Sequence, residues 1–147
     1  MRVLSPLILL LFAAPASAAT LRVCAGGCAF NTVEDAVDAS SPGDIVEIEP
    51  GTYTEWRIDI VHNLTIRGLP GPATPVTIEF TNDGFRALAG VLQLEDLELS
   101  GLAGGKRPVR IESAEAAFLV RMVIRDFTNS NNGQIYAPDA TELTIID

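Results

Sequence analysis

The chain has 147 residues, with 19 acidic side chains against 10 basic ones and a formal net charge of −9. So acidic a chain offers no basic stripe along a phosphate backbone, which excludes nucleic acid as a partner class. Two cysteines and one histidine do not supply the four ligands of a structural zinc centre.

In chain order, Arg2 precedes an apolar run from Val3 to Ala14, interrupted only by Ser5 and Pro6, and then comes Pro15-Ala16-Ser17-Ala18. This order predicts a secretory signal peptide over residues 1–18, with small residues at both specificity positions before a cut after Ala18. The run is shorter than the roughly 20 apolar residues of a membrane span, and no later segment comes close, so no membrane span is expected. Cleavage removes Arg2 and no acidic residue, leaving a mature chain of net charge −10 and about 129 residues, enough for one domain with a core. The expected location is secreted, periplasmic or at the cell surface. Cys24 and Cys28 lie in Cys-Ala-Gly-Gly-Cys, where export allows oxidation and two glycines let a small ring close. A disulfide is expected, free thiols being the alternative.

Phe30-Asn31-Thr32-Val33-Glu34-Asp35-Ala36-Val37-Asp38-Ala39 predicts one short helix at about residues 30–40. Asn31 or Thr32 can cap it, Glu34 and Asp35 suit its positive end, and Phe30, Val33 and Val37 share a face. A helix this short is marginal alone, so that face must dock on something. After Ser41-Pro42-Gly43-Asp44 the period becomes alternating. Ile45-Val46-Glu47-Ile48-Glu49 puts Val46 and Ile48 on one side and the glutamates on the other, and Pro50-Gly51 turns into Thr52-Tyr53-Thr54-Glu55.

A five-residue pattern, apolar-x-apolar-x-Gly or Asp, then recurs at Leu64–Gly68, Leu97–Gly101, Met122–Asp126 and Leu143–Asp147. A second series, Val46/Ile48, Val76/Ile78, Val109/Ile111 and Ile135, interleaves with it. Strand-and-turn repeats of this length without intervening helices predict a solenoid whose coils stack, with at least two strands per coil. A sandwich of antiparallel hairpins is the rival, with Asn132-Gly133 and Asn82-Asp83-Gly84 as its turns. The phase slip in Leu92-Gln93-Leu94-Glu95-Asp96-Leu97-Glu98-Leu99 suits a corner between two strands of one coil.

In these segments the chain resembles the right-handed parallel β-helix proteins of the pectin-lyase-like superfamily. The resemblance runs through Val23-Cys24 to Cys28, Phe30 to Val37, Ser41 to Ile48, Pro50 to Glu55 and His62 to Gly68, nearly all of the first fifty mature residues. It implies an all-β right-handed parallel β-helix of about four coils over residues 19–147, with the short helix capping its N-terminal end. Phe127 to Ala137 is similar to the family's strand, asparagine-rich turn and next strand. Leu143 to Asp147 stop inside a repeat, which reads as a solenoid interrupted before its C-terminal cap, prone to end-to-end self-association.

Lyases, hydrolases, epimerases and adhesins share this fold, so function must be read from residues. Hydrolase members carry paired aspartates and Gly-His-Gly, neither of which occurs in this chain, and His62 reads as a turn residue. Lyase members group acidic residues around Ca2+ and use an arginine or lysine to take the proton beside a uronate carboxylate. The candidates here are Arg107 and Arg110 as the base and Glu95, Asp96 and Asp126 for calcium. The favoured expectation is a non-catalytic extracellular module without cofactor, structural or adhesive, whose outward strands present Thr65, Arg67, Glu98, Arg110 and Arg125 to a polysaccharide or a cell-surface protein. A calcium-dependent polyuronate lyase, or a fragment of one, is the alternative.

Overall fold

A computed structural model describes residues 17–71, 74–102, 106–127, 135–137 and 142–147. Most of the expected leader and the expected Asn132-Gly133 turn lie outside these residues. Fourteen strands and one helix follow each other among them. The first coil is built from β2 (Ile45–Ile48), β3 (Gly51–Glu55) and β4 (Ile58–Ile60), and the second from β5 (Leu64–Gly68), β6 (Val76–Phe80) and β7 (Phe85–Ala87). The third holds β8 (Val91–Glu95), β9 (Glu98–Gly101) and β10 (Val109–Ile111), and the fourth β11 (Ala116–Val120), β12 (Val123–Arg125) and β13 (Ile135–Tyr136). β1 (Thr20–Val23) precedes the first coil and β14 (Glu142–Ile146) follows the fourth.

Equivalent strands stack into three parallel sheets. Sheet A runs β1-β2-β5-β8-β11-β14, sheet B β3-β6-β9-β12 and sheet C β4-β7-β10-β13. This is a parallel β-solenoid of about four turns, and every described pairing is parallel, which rules out the hairpin sandwich. Asn82-Asp83-Gly84 joins β6 to β7, strands of different sheets, and makes no hairpin.

Inward side chains form columns through the stack. In sheet A, Val46, Ile66, Leu94 and Leu119 are in register, and all four are buried. Phe80 and Phe85 meet edge to face across the sheet B to sheet C corner, with ring centroids 5.4 Å apart. Tyr53 also points inward, and its hydroxyl donates to the Glu49 carbonyl (2.8 Å).

The recurring apolar-x-apolar-x-Gly or Asp pattern does mark strands, but not equivalent ones. Leu64–Gly68 and Leu143–Asp147 fall on sheet A, whereas Leu97–Gly101 and Met122–Asp126 fall on sheet B. The true sheet A register is Leu64, Leu92, Ala117 and Leu143, and each coil has three strands, in line with the expected minimum of two. The expected corner after β8 does form, with Asp96 in the left-handed region at φ 53°. Arg121 takes the same place one coil on, at φ 49°, and donates to both carboxylate oxygens of Asp96 (2.5 and 2.6 Å).

Helix α1 (Val33–Asp38) packs against β1, β2, β3 and β4, and so covers the first coil with Val33, Ala36 and Val37. Thr32 is the cap, its hydroxyl accepting from the Asp35 N–H (3.2 Å). Glu55 reaches up from β3 to accept the Val33 N–H (2.7 Å). Burial raises the pKa of Glu55, against the lowering effect of hydrogen bonds from the Val33 and Glu34 amides. His62 fastens the other end, its Nε2 lying 3.1 Å from the Ser40 carbonyl oxygen. Beside the helix, Cys24 and Cys28 are bridged as expected.

Candidate functional site

The outward positions of sheet C carry a column of charged side chains that ends on an aromatic ring. Its strands are apolar-polar-apolar triplets: Ile58-Asp59-Ile60, Phe85-Arg86-Ala87 and Val109-Arg110-Ile111. The flanking apolar residues are buried, so each central side chain must point outward. Register then stacks Asp59, Arg86, Arg110 and Tyr136 in one column. The link before β10 runs beside the link before β7, with Lys106 N–H donating to Asn82 O (3.1 Å) and Phe85 N–H to Pro108 O (3.0 Å), and this brings Arg107 alongside the column.

Five of the ten basic residues, Arg57, Arg86, Lys106, Arg107 and Arg110, lie on these strands or in the links just before them. Asp59 is held by Arg57 (2.9 Å) and Arg86 (2.9 Å). Arg110 pairs with Glu112 (2.5 Å) and faces Asp83 at 3.8 Å. The guanidinium carbons of Arg107 and Arg110 stand 5.2 and 5.7 Å from the Tyr136 ring centroid, within cation–π range. Among the described residues Arg107 has no carboxylate partner. The Nε atoms of Arg86, Arg107 and Arg110 and one Asp83 oxygen are buried there without a hydrogen-bond partner. A buried polar group left unpaired costs about 1–3 kcal/mol, so this face has unused capacity for a polar ligand or bridging waters. No pocket is formed among the described residues, and the arrangement is an open strand face.

Arg107 and Arg110 are thus brought together, while the other expected residues divide between sheets. Thr65 and Arg67 stand on sheet A, where Arg67 donates to Glu47 (2.5 Å) and Arg22 approaches the other Glu47 oxygen (3.1 Å). Hydrogen bonds from both arginines lower the pKa of Glu47. The outward register continues as Arg22, Glu47, Arg67, Glu95, a ladder of alternating charge whose members are engaged with each other or in reach of a partner. Glu98 and Arg125 stand on sheet B and face one another as an ion pair.

Glu95, Asp96 and Asp126 do not converge. Glu95 accepts from the Gln93 side chain, Asp96 is taken by Arg121, and Asp126 lies past β12, near Arg125 (3.8 Å) and Ser100 (3.4 Å). The Arg121 hydrogen bonds lower the pKa of Asp96, as expected of a structural ion pair. Among the described residues only Cys24, Cys28 and Glu49 bring three ligating atoms within 4.8 Å of one another, and there the sulfurs are bonded to each other.

Sequence reasoning missed Asp59, Asp83, Arg86, Glu112 and Tyr136. The signal was the apolar-charged-apolar triplet itself, repeated at Ile58, Phe85 and Val109, but three residues are too few to read as alternation. No protein-family model, no curated protein and no solved structure matches the chain.

Proposed function

We propose that the protein is an exported, non-catalytic β-solenoid module of the pectin-lyase-like kind whose sheet C face binds an acidic polysaccharide. The observation that supports this most is the placing of Arg107 and Arg110 against the Tyr136 ring, with Arg86 next to Arg110 in the column, on a chain of net charge −9. Guanidinium groups suit the planar carboxylates of a sugar acid, and an aromatic ring beside them offers an apolar surface to a pyranose. An open face at strand spacing fits an extended polymer lying across several coils. A disulfide and a signal-like leader are in keeping with an oxidising, extracellular setting.

Affinity electrophoresis through gels containing an acidic or a neutral polysaccharide tests this reading. Retardation is expected with the acidic polymer alone, weakening as salt rises, and Arg107→Ala and Arg110→Ala should each reduce it several-fold. Equal mobility in both gels, or retardation unchanged in both variants, would sink it.

The lyase reading draws support from the same juxtaposition of Arg107 with Arg110. Against it, Asp59, Asp83 and Glu112 are each turned toward an arginine, and Glu95, Asp96 and Asp126 are apart, so among the described residues no carboxylate group is assembled for calcium beside the arginines. Polyuronate incubated with Ca2+ should therefore yield no ultraviolet-absorbing unsaturated product. Calcium-dependent product formation abolished by Arg107→Ala would reverse the choice between the two readings.

Self-association of the 147-residue chain through the outer edge of β14, unpaired among the described strands, is a further part of the proposal. Ile145 is 62 % and Ile146 49 % exposed, and β14 pairs only with β11 among the described strands. A row of unpaired N–H and C=O groups with apolar side chains is a template for another edge. Light scattering across a concentration series should show association by the 147-residue chain that Ile145→Lys suppresses, whereas a stable monomer at every concentration would contradict it.

A further inference from the structure

Asp44 sits just before β2, almost fully buried, and is satisfied entirely by backbone groups. Oδ1 accepts from the Ala19 nitrogen (2.7 Å) and Oδ2 from the Ser41 N–H (2.8 Å). Ala19 is fixed from its other side as well, because its carbonyl accepts the Ile45 N–H (2.9 Å) and Thr20 is in register with Ile45. On the leader side of the same peptide bond, Ser17 and Ala18 are exposed. The bond that the leader pattern marks for cleavage is therefore accessible, while the nitrogen it would release is already aimed at a buried carboxylate.

We propose that cleavage between Ala18 and Ala19 turns this hydrogen bond into an ion pair between the new α-ammonium of Ala19 and the Asp44 carboxylate, so that maturation itself locks β1 onto β2. The inference rests on the export reading. In the hydrolysis, catalysed by a leader peptidase, water adds its hydroxyl to the Ala18 carbonyl carbon and a proton to the Ala19 nitrogen as the C–N bond between them breaks; the new Ala18 carboxyl loses its proton to solvent and the amine takes one up. An α-amino group has an unperturbed pKa of about 8, so it is cationic at neutral pH and more so beside a carboxylate. Hydrogen bonds between charged groups are roughly twice as strong as neutral ones. Asp44 is prepared for this role: the Ser41 and Ala19 amides hold its pKa below the usual carboxylate value, with His62 adding to the effect, so it is ionised before the amine exists. The strand that gains the bond packs against helix α1 and ends in Val23, which is buried in the same core as Val33, Ala36 and Val37, so locking β1 also steadies the cap.

The test uses the mature chain starting at Ala19 in three forms: with a free amine, with an acetylated amine, and with one glycine added before Ala19. The free-amine form should melt several degrees above the other two, since acetylation removes the charge and the added glycine displaces it. Repeating the free and acetylated forms with Asp44→Asn should collapse the difference between them, as a double-mutant cycle requires of a direct pair. If Asp44→Asn does not fold, the glycine-extended form still decides, because it retains Asp44 and the charge. N-terminal peptide mass analysis of the exported protein separates this inference from the reading it rests on. A start at a residue other than Ala19 would overturn the pair, and retention of the leader would overturn export with it. A start at Ala19 with equal melting points for the free, acetylated and extended forms would overturn the ion pair alone.

Discussion

Phe85→Ala is expected to lower the stability of the fold by about 3–5 kcal/mol, the range for removing a fully buried phenylalanine. Phe85 begins β7 at the corner where the second coil turns from sheet B to sheet C, and its ring packs on Phe80. Both rings are wholly buried. Small domains have about 5–15 kcal/mol in total, so this loss should shift a urea midpoint by a large fraction of its value. A shift no larger than that of a surface substitution would mean that the corner is not part of the cooperative core. The same change withdraws support from Arg86, the next residue, so ligand retention at the sheet C face should fall with stability.

The second large effect is expected at Gly68, the last residue of β5. A Cβ built there would fall inside the van der Waals envelope of the Asp96 carbonyl oxygen one coil away, and would also press on Val76 Cγ2 at 3.1 Å. The obstacle is backbone that is itself fixed, since the Asp96 N–H donates to the Val120 carbonyl (3.0 Å). Neither coil can give way without breaking a hydrogen bond in the stack. Gly68→Ala should therefore cost about 1–3 kcal/mol or more by overpacking, although alanine favours ordered backbone elsewhere. Gly26 is the control: a Cβ there meets nothing within 4 Å, and Gly26→Ala should leave the denaturation midpoint nearly unchanged. Equal midpoints for the two variants would show that the coils are not stacked this closely.

The N-terminal part of the fold was legible because its signals are local. The Thr32 cap, the acidic first turn, the Ser41-Pro42-Gly43-Asp44 stop and the alternation of Val46 and Ile48 are each written in consecutive residues, and each recurs in the structure. Stacking register was not legible, because sheets A and B both end strands with apolar-x-apolar and a left-handed or glycine corner. Leu64 and Leu97 look alike in sequence for that reason, although Leu64 pairs with Leu92. The candidate site was half legible. Arg107 and Arg110 stood out as a basic pair in sequence, but the column that gives them company depends on Asp59, Arg86 and Tyr136, each contributed by a different coil. Thr65, Arg67, Glu98 and Arg125 do point outward as the alternation required. Which sheet each one faces depends on corner positions, and those are set by backbone conformation at residues such as Asp96 and Arg121.

The most direct test of the account is to map a bound acidic oligosaccharide by backbone amide chemical shifts on the mature, oxidised protein. Perturbations should concentrate on Asp59, Arg86, Arg107, Arg110 and Tyr136, following the sheet C column across successive coils, and should shrink in Arg107→Ala. Perturbations centred on the Thr65 and Arg67 face of sheet A, or on Glu98 and Arg125 of sheet B, with sheet C silent, would contradict the assignment of the ligand face.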